Sequence, residues 1–310
     1  MVRDEGLKQG VTVVVPTLQR GDFLADCLRD LGAQSHRPLE ILVVDQSDCV
    51  PEPVAQVLRD LGNLVSHYRV TFRGLPNARN FGWQKARYEA AVYVDDDVRV
   101  PPDFVARHLD ALCQPGVGIV AGGIDEKSRA HDPGPPTGAF DRLRCEPVRG
   151  FAARGRFDVT HAPGGNFSGW RHVFESCGGF DEALSYGAAL YEELDLCLRA
   201  RAAGHRVVFD GEARLLHLAA PAGGCRVDEV GRYNRGLGHN RGIIIARHLR
   251  RHERPTAWAF LVRLFAAYAR QYREPRAITE GIAGARLGYR RGMQPPTCTL
   301  YGPEHLRPEA

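Results

Sequence analysis

Residues 90–100 read AAVYVDDDVRV, five apolar or aromatic residues that end abruptly in three aspartates. A continuous apolar run of this length fits a strand covered on both faces, as in a parallel sheet flanked by helices. Three adjacent carboxylates at the end of such a strand repel one another unless a positive charge meets them. A divalent cation resolves the conflict: hard oxygen ligands suit Mg²⁺ or Mn²⁺, and Mg²⁺ in particular is commonly shared between carboxylates and substrate phosphates. In extended backbone Asp95 and Asp97 point one way and Asp96 the other. The plain alternative is a solvated acidic turn leading into Pro101.

On either side of this stretch, similar runs alternate with helical patterns: VTVVVP (11–16), EILVVD (40–45), LVSHYRV (64–70) and VGIVAG (117–122). Between the first two, Asp22 is placed to cap a helix in which Phe23, Leu24, Cys27, Leu28 and Leu31 recur at three- and four-residue spacing. That unit is a βαβ crossover, and the region is an α/β fold with a mostly parallel sheet. In open α/β sheets ligands sit outside the carboxyl ends of the strands, which singles out Thr17, Asp45 and the aspartate triplet.

The 310 residues are 44% hydrophobic and 25% charged, close to the globular average, which argues against disordered, collagen-like and integral-membrane classes. The net charge of +4 is too small to suggest nucleic-acid binding, which expects a clustered basic face. Only Lys8, Lys85 and Lys127 are lysines, so nearly all positive charge is guanidinium, suited to phosphate. The eight cysteines have neither CxxC nor metal-ligand spacing and read as free thiols in a reducing compartment. No targeting segment is visible at the start, so a cytoplasmic location is expected, with peripheral contact at the cytoplasmic membrane face as a further option. The segment 256–272, TAWAFLVRLFAAYARQY, is too short to span a bilayer and is broken by Arg263 and Arg270; it reads as a buried or homodimer-forming helix, or as an interfacial one.

Residues 124–157 read as a long loop, and order resumes at HAPGGNFSGW (161–170). A short helix to Cys177, GGFDEAL (178–184) and a helix over about 191–203 follow, the last stopped by Gly204. Strands are expected at 207–210 and 213–217, then three helical segments from 227 to near 291. In GGFDE, Phe180 should pack and Asp181 or Glu182 should cap. Asp195 and Arg199, four apart on one helix, can pair.

Taken together, these pieces resemble a family 2 glycosyltransferase with the nucleotide-sugar-binding GT-A fold. The resemblance covers residues 11–218 and rests on Pro16-Thr17 with Arg20, the VVD of Asp45, GLPNARNFGWQKA (74–86), YVDDDV with its DXD-like triplet, GGNFSGW, GGFDE, YEELDLCLRARAAGH (191–205) and the LLHL around His217. It implies a GT-A domain over 1–222, with a donor half of about 11–123 and an acceptor half of about 158–222, and a helical C-terminal region over 223–310. The implied activity is inverting, metal-dependent transfer of a sugar from a nucleoside-diphosphate sugar to an acceptor hydroxyl, with UDP expected ahead of GDP or dTDP.

By the same resemblance, Pro16, Thr17 and Asp45 hold the nucleotide base with Arg20 and Arg79 nearby, Asp96 faces the ribose, and Asp95, Asp97 and His217 hold Mn²⁺ or Mg²⁺. The acidic pair that supplies the base aligns with Glu192 and Glu193. Glu193 is the expected general base, within reach of the acceptor's proton; the family more often carries aspartate at that position, and Asp195 is the second candidate. Gly165 and Asn166 are expected under the donor sugar and acceptor, and Trp170 and His161 along the acceptor pocket. The competing readings are a sugar nucleotidyltransferase, which would be expected to carry a glycine-rich, arginine-bearing loop where PTLQRGDF stands, and a nucleotide-sugar-binding module with little turnover.

Overall fold

The chain opens with β1 (Val11–Thr17), α1 (Gly21–Gly32), β2 (Leu39–Asp45), α2 (Glu52–Leu61), β3 (Val65–Arg69), α3 (Leu75–Lys85) and β4 (Ala90–Val94), a parallel β-α repeat with strand order β3-β2-β1-β4. This is a computed structural model, and it describes residues 9–126, 137–188, 190–220, 223–224, 227 and 229–308. All seven residues of β1 and of β2 are buried, the outcome of helices covering both faces of the sheet. Alternation along the strand sorts the side chains: Val13 and Val15 share one core with Leu24, Leu28 and Leu31 of α1, and Val14 shares the other with Phe81 of α3 and Tyr93 of β4. Helix α1 starts at Gly21 with Arg20 at the N-cap and no side-chain cap, so Asp22 lies in the first turn rather than at the cap.

Then come β5 (Val98–Arg99), α4 (Phe104–Leu112) and β6 (Val117–Glu126). The segment expected as a loop over 124–157 begins in β6. Its residues 127–136 lie outside the described residues, and the remainder carries a small hairpin of β7 (Phe140–Asp141) with β8 (Glu146–Pro147), then the start of β9 (Arg156–Asp158). Strand β10 (Asn166–Trp170) inserts antiparallel between β4 and β6. After α5 (Arg171–Ser176) and α6 (Glu192–Ala202), residues Arg206–His217 form one strand, β11, where two were expected; a register shift between Asp210 and Arg214 separates its halves. Strand β11 runs parallel to β6, and its last residues pair antiparallel with β5, His217 opposite Val98.

The C-terminal region holds α7 (Val230–His248), α8 (Arg254–Tyr272) and α9 (Arg276–Gly292). Leu237, Ile244 and Ile245 of α7, Leu261 and Phe265 of α8 and Ala285 of α9 form a third core with Tyr191 and Leu194. Glycines let α7 and α9 meet backbone to backbone: a Cβ on Gly288 would collide with the His239 carbonyl oxygen. The tail then crosses back over the sheet domain, where Thr299 N–H donates to Glu182 (2.8 Å), Tyr301 N–H to Gln84 (3.0 Å), and Leu306 bridges Val70. Among the described residues no helix is long and apolar enough to cross a membrane, and seven of the cysteines are free thiols.

Candidate active site

The acidic triplet leaves the carboxyl end of β4, and each carboxylate finds a different neighbour. Asp96 turns back to β1, where Thr17 Oγ1 donates to its Oδ2 (2.7 Å) and the Arg20 guanidinium to its Oδ1 (3.1 Å). Burial nevertheless pushes Asp96 up to about 6 against both partners. Asp97 Oδ2 accepts the Ala220 N–H (2.8 Å) and faces Arg20 (3.3 Å). Burial disfavours its charge, but the His217 imidazole, the Ala220 amide and Arg20 outweigh that and bring Asp97 down to about 2.

Pairing of β5 with β11 places His217 beside the triplet. Its Nε2 lies 3.4 Å from Asp97 Oδ1, a buried oxygen without a hydrogen bond of good geometry. Asp95, on the same side, is raised by burial, with Arg79 opposing. One ligand atom each from Asp95, Asp97 and His217 falls within 4.8 Å of the others. Two carboxylate oxygens, one of them buried and unbonded, and an imidazole nitrogen form a donor set that fits Mn²⁺ or Mg²⁺. The alternation expected for the triplet therefore matches the geometry: Asp95 and Asp97 converge and Asp96 diverges.

Register explains the neighbouring end of the site. Thr17 and Asp45 are paired residues at the ends of β1 and β2, with Pro16 buried one step earlier opposite Val44. Asp45 Oδ1 accepts the Ser47 N–H (2.8 Å), and its Oδ2 lies 3.0 Å from Nε2 of His67 on β3. Burial opposes ionisation of Asp45, yet His67 and Ser47 hold it below the usual carboxylate range. His67 was not singled out from sequence, because only the parallel pairing of β2 with β3 brings it to Asp45.

From Asp95 and His217 a cavity of about 670 Å³ extends past Arg79, Gly164, Gly165, Glu192 and Glu193 to Phe151, Arg149 and Tyr191. A Cβ at Gly165 would stand 2.6 Å from Asp95 Oδ2 and push that carboxylate aside. Arg79, from α3, is 1% exposed; it pairs with Glu192 at 2.6 Å, donates to the Gly164 carbonyl at 2.7 Å, and lies over the rings of Phe167 and Phe180. Burial and the adjacent Glu193 hold Glu192 above the carboxylate range, with Arg79 opposing. Glu193, half-buried at the wall, accepts no hydrogen bond from any described residue. His161 also reaches the wall, its ring nitrogens 3.1 and 3.2 Å from the carbonyls of Ala162 and Val148.

Three sequence expectations need correction. Asp195 does not face the cavity: α6 turns it the other way, where Arg199, Arg247 and His248 each approach within 2.8 Å and its side chain has no exposure. The i,i+4 pairing with Arg199 is the part that holds. Asn166 is fully buried, receiving or giving bonds to His108 Nε2 (2.8 Å), Gly123 O (2.7 Å) and Ala213 O (2.9 Å), so it braces strands instead of contacting a sugar. Trp170 lies opposite Ala90, at the far end of β4 from Asp95, because β10 is antiparallel; its indole donates to Val117 O (3.0 Å). Arg79, expected near the donor, lines the cavity with Asp95 and is paired there with Glu192. Asp181 caps as expected, accepting the Ala183 N–H, but it also binds Arg247 and Arg291.

A mixed sheet with donor groups at the carboxyl ends of its parallel strands, backed by helices, is the GT-A arrangement, and solved glycosyltransferases share it. A mannosyltransferase from Pyrobaculum calidifontis in complex with GDP-Man and Mn²⁺ aligns over 91% of this chain and 86% of its own, with a TM-score of 0.55 at 18% identity. S. aureus TarS in complex with UDP-GlcNAc aligns over 88% of this chain and 79% of its own, with a TM-score of 0.59 at 16% identity. In sequence, the glucosyl-dolichyl phosphate glucuronosyltransferase of Haloferax volcanii is 25% identical over 218 residues, 68% of this chain and 69% of the relative. Residues 12–178 match the family described as Glycosyl transferase family 2, and the chain belongs to that family. It is a glycosyltransferase, and the nucleotidyltransferase alternative falls away.

Proposed function

We propose that the chain transfers a glycosyl group from a nucleoside-diphosphate sugar to an acceptor hydroxyl with inversion, using a divalent cation. The observation that carries this reading is the convergence of Asp95, Asp97 and His217 at one end of a cavity whose wall presents the unbonded Glu193. Asp95, Asp97 and His217 would hold the cation, which supplies charge neutralisation for a departing diphosphate. Asp45, kept ionised by His67 and Ser47, is suited to accept a ring N–H of the base, a donor that uracil, guanine and thymine offer and adenine and cytosine lack, so UDP, GDP and dTDP are the candidates, UDP being tried first.

Glu193 is the general base. As the acceptor oxygen bonds to the anomeric carbon, its proton passes to a Glu193 carboxylate oxygen, and the anomeric C–O bond breaks with its electron pair going to the diphosphate. One displacement inverts the anomeric centre. Glu193 differs from Asp195 in the property a base needs, because it accepts no hydrogen bond from any described residue whereas Asp195 is bound by Arg199, Arg247 and His248. Arg79 and Glu192 act beneath it: their ion pair ties the first turn of α6 to the Gly164 carbonyl, fixing the glutamate that follows.

Slow donor hydrolysis, with water in the acceptor's place, tests this before the acceptor is known. UDP- and GDP-sugars of α configuration are incubated with the enzyme and Mn²⁺, and the released sugar is observed by proton NMR before it mutarotates. The β anomer is expected from the parent protein and none from Glu193→Gln. Initial release of the α anomer, or equal turnover by Glu193→Gln, would overturn the mechanism.

A further inference from the structure

The positive charge of the chain is concentrated in one place outside the active site. Residues 250–292 contain ten arginines against three glutamates, with no lysine or aspartate, a net +7 in a chain that nets +4, so the rest is net −3. Two of the glutamates are consumed: Glu253 is buried against Arg142, and Glu280 pairs with Arg235 at 2.8 Å. By contrast Arg263 and Arg270 on α8, Arg273 and Arg276 at the turn, and Arg286 and Arg290 on α9 are all exposed, and none is ion-paired among the described residues.

Periodicity separates these arginines from the packed sides of the helices. Helix α8 buries Ala257, Leu261, Phe265 and Ala269, and α9 buries Ala277, Gly281, Gly284, Ala285 and Gly288. Arg263 and Arg270, seven apart, share the side of α8 opposite its buried stripe with exposed Ala259 and Ala266. Arg286 and Arg290, four apart, share the outer side of α9. Like charges at this spacing destabilise a helix, and no described acidic side chain relieves them.

A second observation distinguishes this surface from an ordinary solvated one. Of the nine large apolar side chains exposed among the described residues, three lie in this stretch, Val262, Tyr272 and Leu287, and a fourth, Met293 at 66% exposure, follows directly after it. Helices α8 and α9 lie side by side, Phe265 against Gly281 and Arg254 donating to the Tyr289 hydroxyl at 2.9 Å, so the charges and the apolar tips Val262, Tyr272, Leu287 and Met293 belong to one helical pair. We propose that the outer sides of α8 and α9 dock the protein on an anionic lipid bilayer, with the arginines at lipid phosphates and the apolar tips at the boundary of headgroups and acyl chains. A nucleic acid would reward the arginines, but it offers nothing to Val262, Leu287 and Met293. This docking stands independently of the transfer chemistry.

The test is co-sedimentation of the full chain with vesicles of phosphatidylcholine alone and of phosphatidylcholine with phosphatidylglycerol in about equal amounts. Binding to the anionic vesicles alone, weakening as salt is raised, is expected. Arg263→Gln with Arg270→Gln should weaken it about 30-fold, taking about fivefold per arginine at an anionic surface. Leu287→Ser with Met293→Ser should weaken it further without changing the salt dependence. All four positions are exposed, so the melting temperature of each variant should stay close to that of the parent. Absence of binding to anionic vesicles, or binding that ignores the arginine changes, would overturn the proposal. Vesicle binding unchanged by the serine pair, with tighter binding to duplex DNA, would mark the surface as a general polyanion site and overturn it too.

Discussion

Replacement of Arg79 by methionine should cost more stability than any surface change, and its size can be worked from the site. Arg79 and Glu192 are 1% and 2% exposed, their ion pair is 2.6 Å long, and Arg79 is the sole cation bonded to Glu192 among the described residues. Breaking a buried pair by removing one partner typically costs about 3–5 kcal/mol; here Glu192, already raised by burial and Glu193, is left to take up a proton in a site without its partner. At about 2.1 cal/mol/K per residue, unfolding 310 residues carries an entropy of roughly 0.65 kcal/mol/K, so the melting temperature should fall by roughly 5–8 °C. Arg79→Met, Glu192→Gln and the double variant would be melted side by side by circular dichroism. The double variant should recover at least half of the Arg79→Met loss, because its buried carboxylate is gone. If Arg79→Met costs under about 1 kcal/mol, or if the two single losses simply add, the pair does not hold α6 to the Gly164 turn as argued.

Three further outcomes follow from the same geometry. Glu193→Gln should lower transfer by about 10²–10⁴-fold with little effect on melting, whereas Asp195→Asn should mainly destabilise; steady-state rates and thermal melts on both variants separate the two carboxylates. Asp195 is opposed by burial but held well below the carboxylate range by Arg199, His248 and Arg247. Its folded value is depressed, so its contribution is present above the unfolded value near 4 and fades as pH falls below it. The melting difference between the parent and Asp195→Asn should therefore shrink steadily below about pH 4; a difference that stays constant down to pH 2.5 would contradict this. Gly288→Val, which forces a side chain against the His239 carbonyl, should cost about 1–3 kcal/mol by overpacking α7 on α9, read as a lowered urea midpoint.

Where the sequence was informative, the signal was local. The apolar runs of β1, β2 and β4 announce a buried parallel sheet, and the position of the triplet after β4 follows from the rule for strand ends. His217 was legible through resemblance, and its meeting with Asp97 is then enforced by the pairing of β5 with β11. What was illegible depends on long-range pairing. NFSGW has the composition of a turn, yet it forms the antiparallel strand that joins β4 to β6, and that direction carries Trp170 to the wrong end of the sheet for an acceptor pocket. Asp195 looks like a base until α7, some fifty residues later, delivers Arg247 and His248 to it. Arg79 gave no hint of its partner, because a single arginine on α3 does not declare which of several distant carboxylates will be buried with it.

The central claim is that Asp95, Asp97 and His217 form a cation site serving a nucleotide bound at the ends of β1, β2 and β4. Calorimetric titration with UDP, GDP and dTDP, each with Mn²⁺ and with EDTA, on the parent protein and on Asp97→Ala, addresses it most directly. The account predicts binding of one nucleotide, UDP first, that requires Mn²⁺ and is lost in Asp97→Ala. Binding of equal strength in EDTA, or in the variant, would contradict the cation site, and failure of the folded parent protein to bind any of the three would contradict the nucleotide site itself.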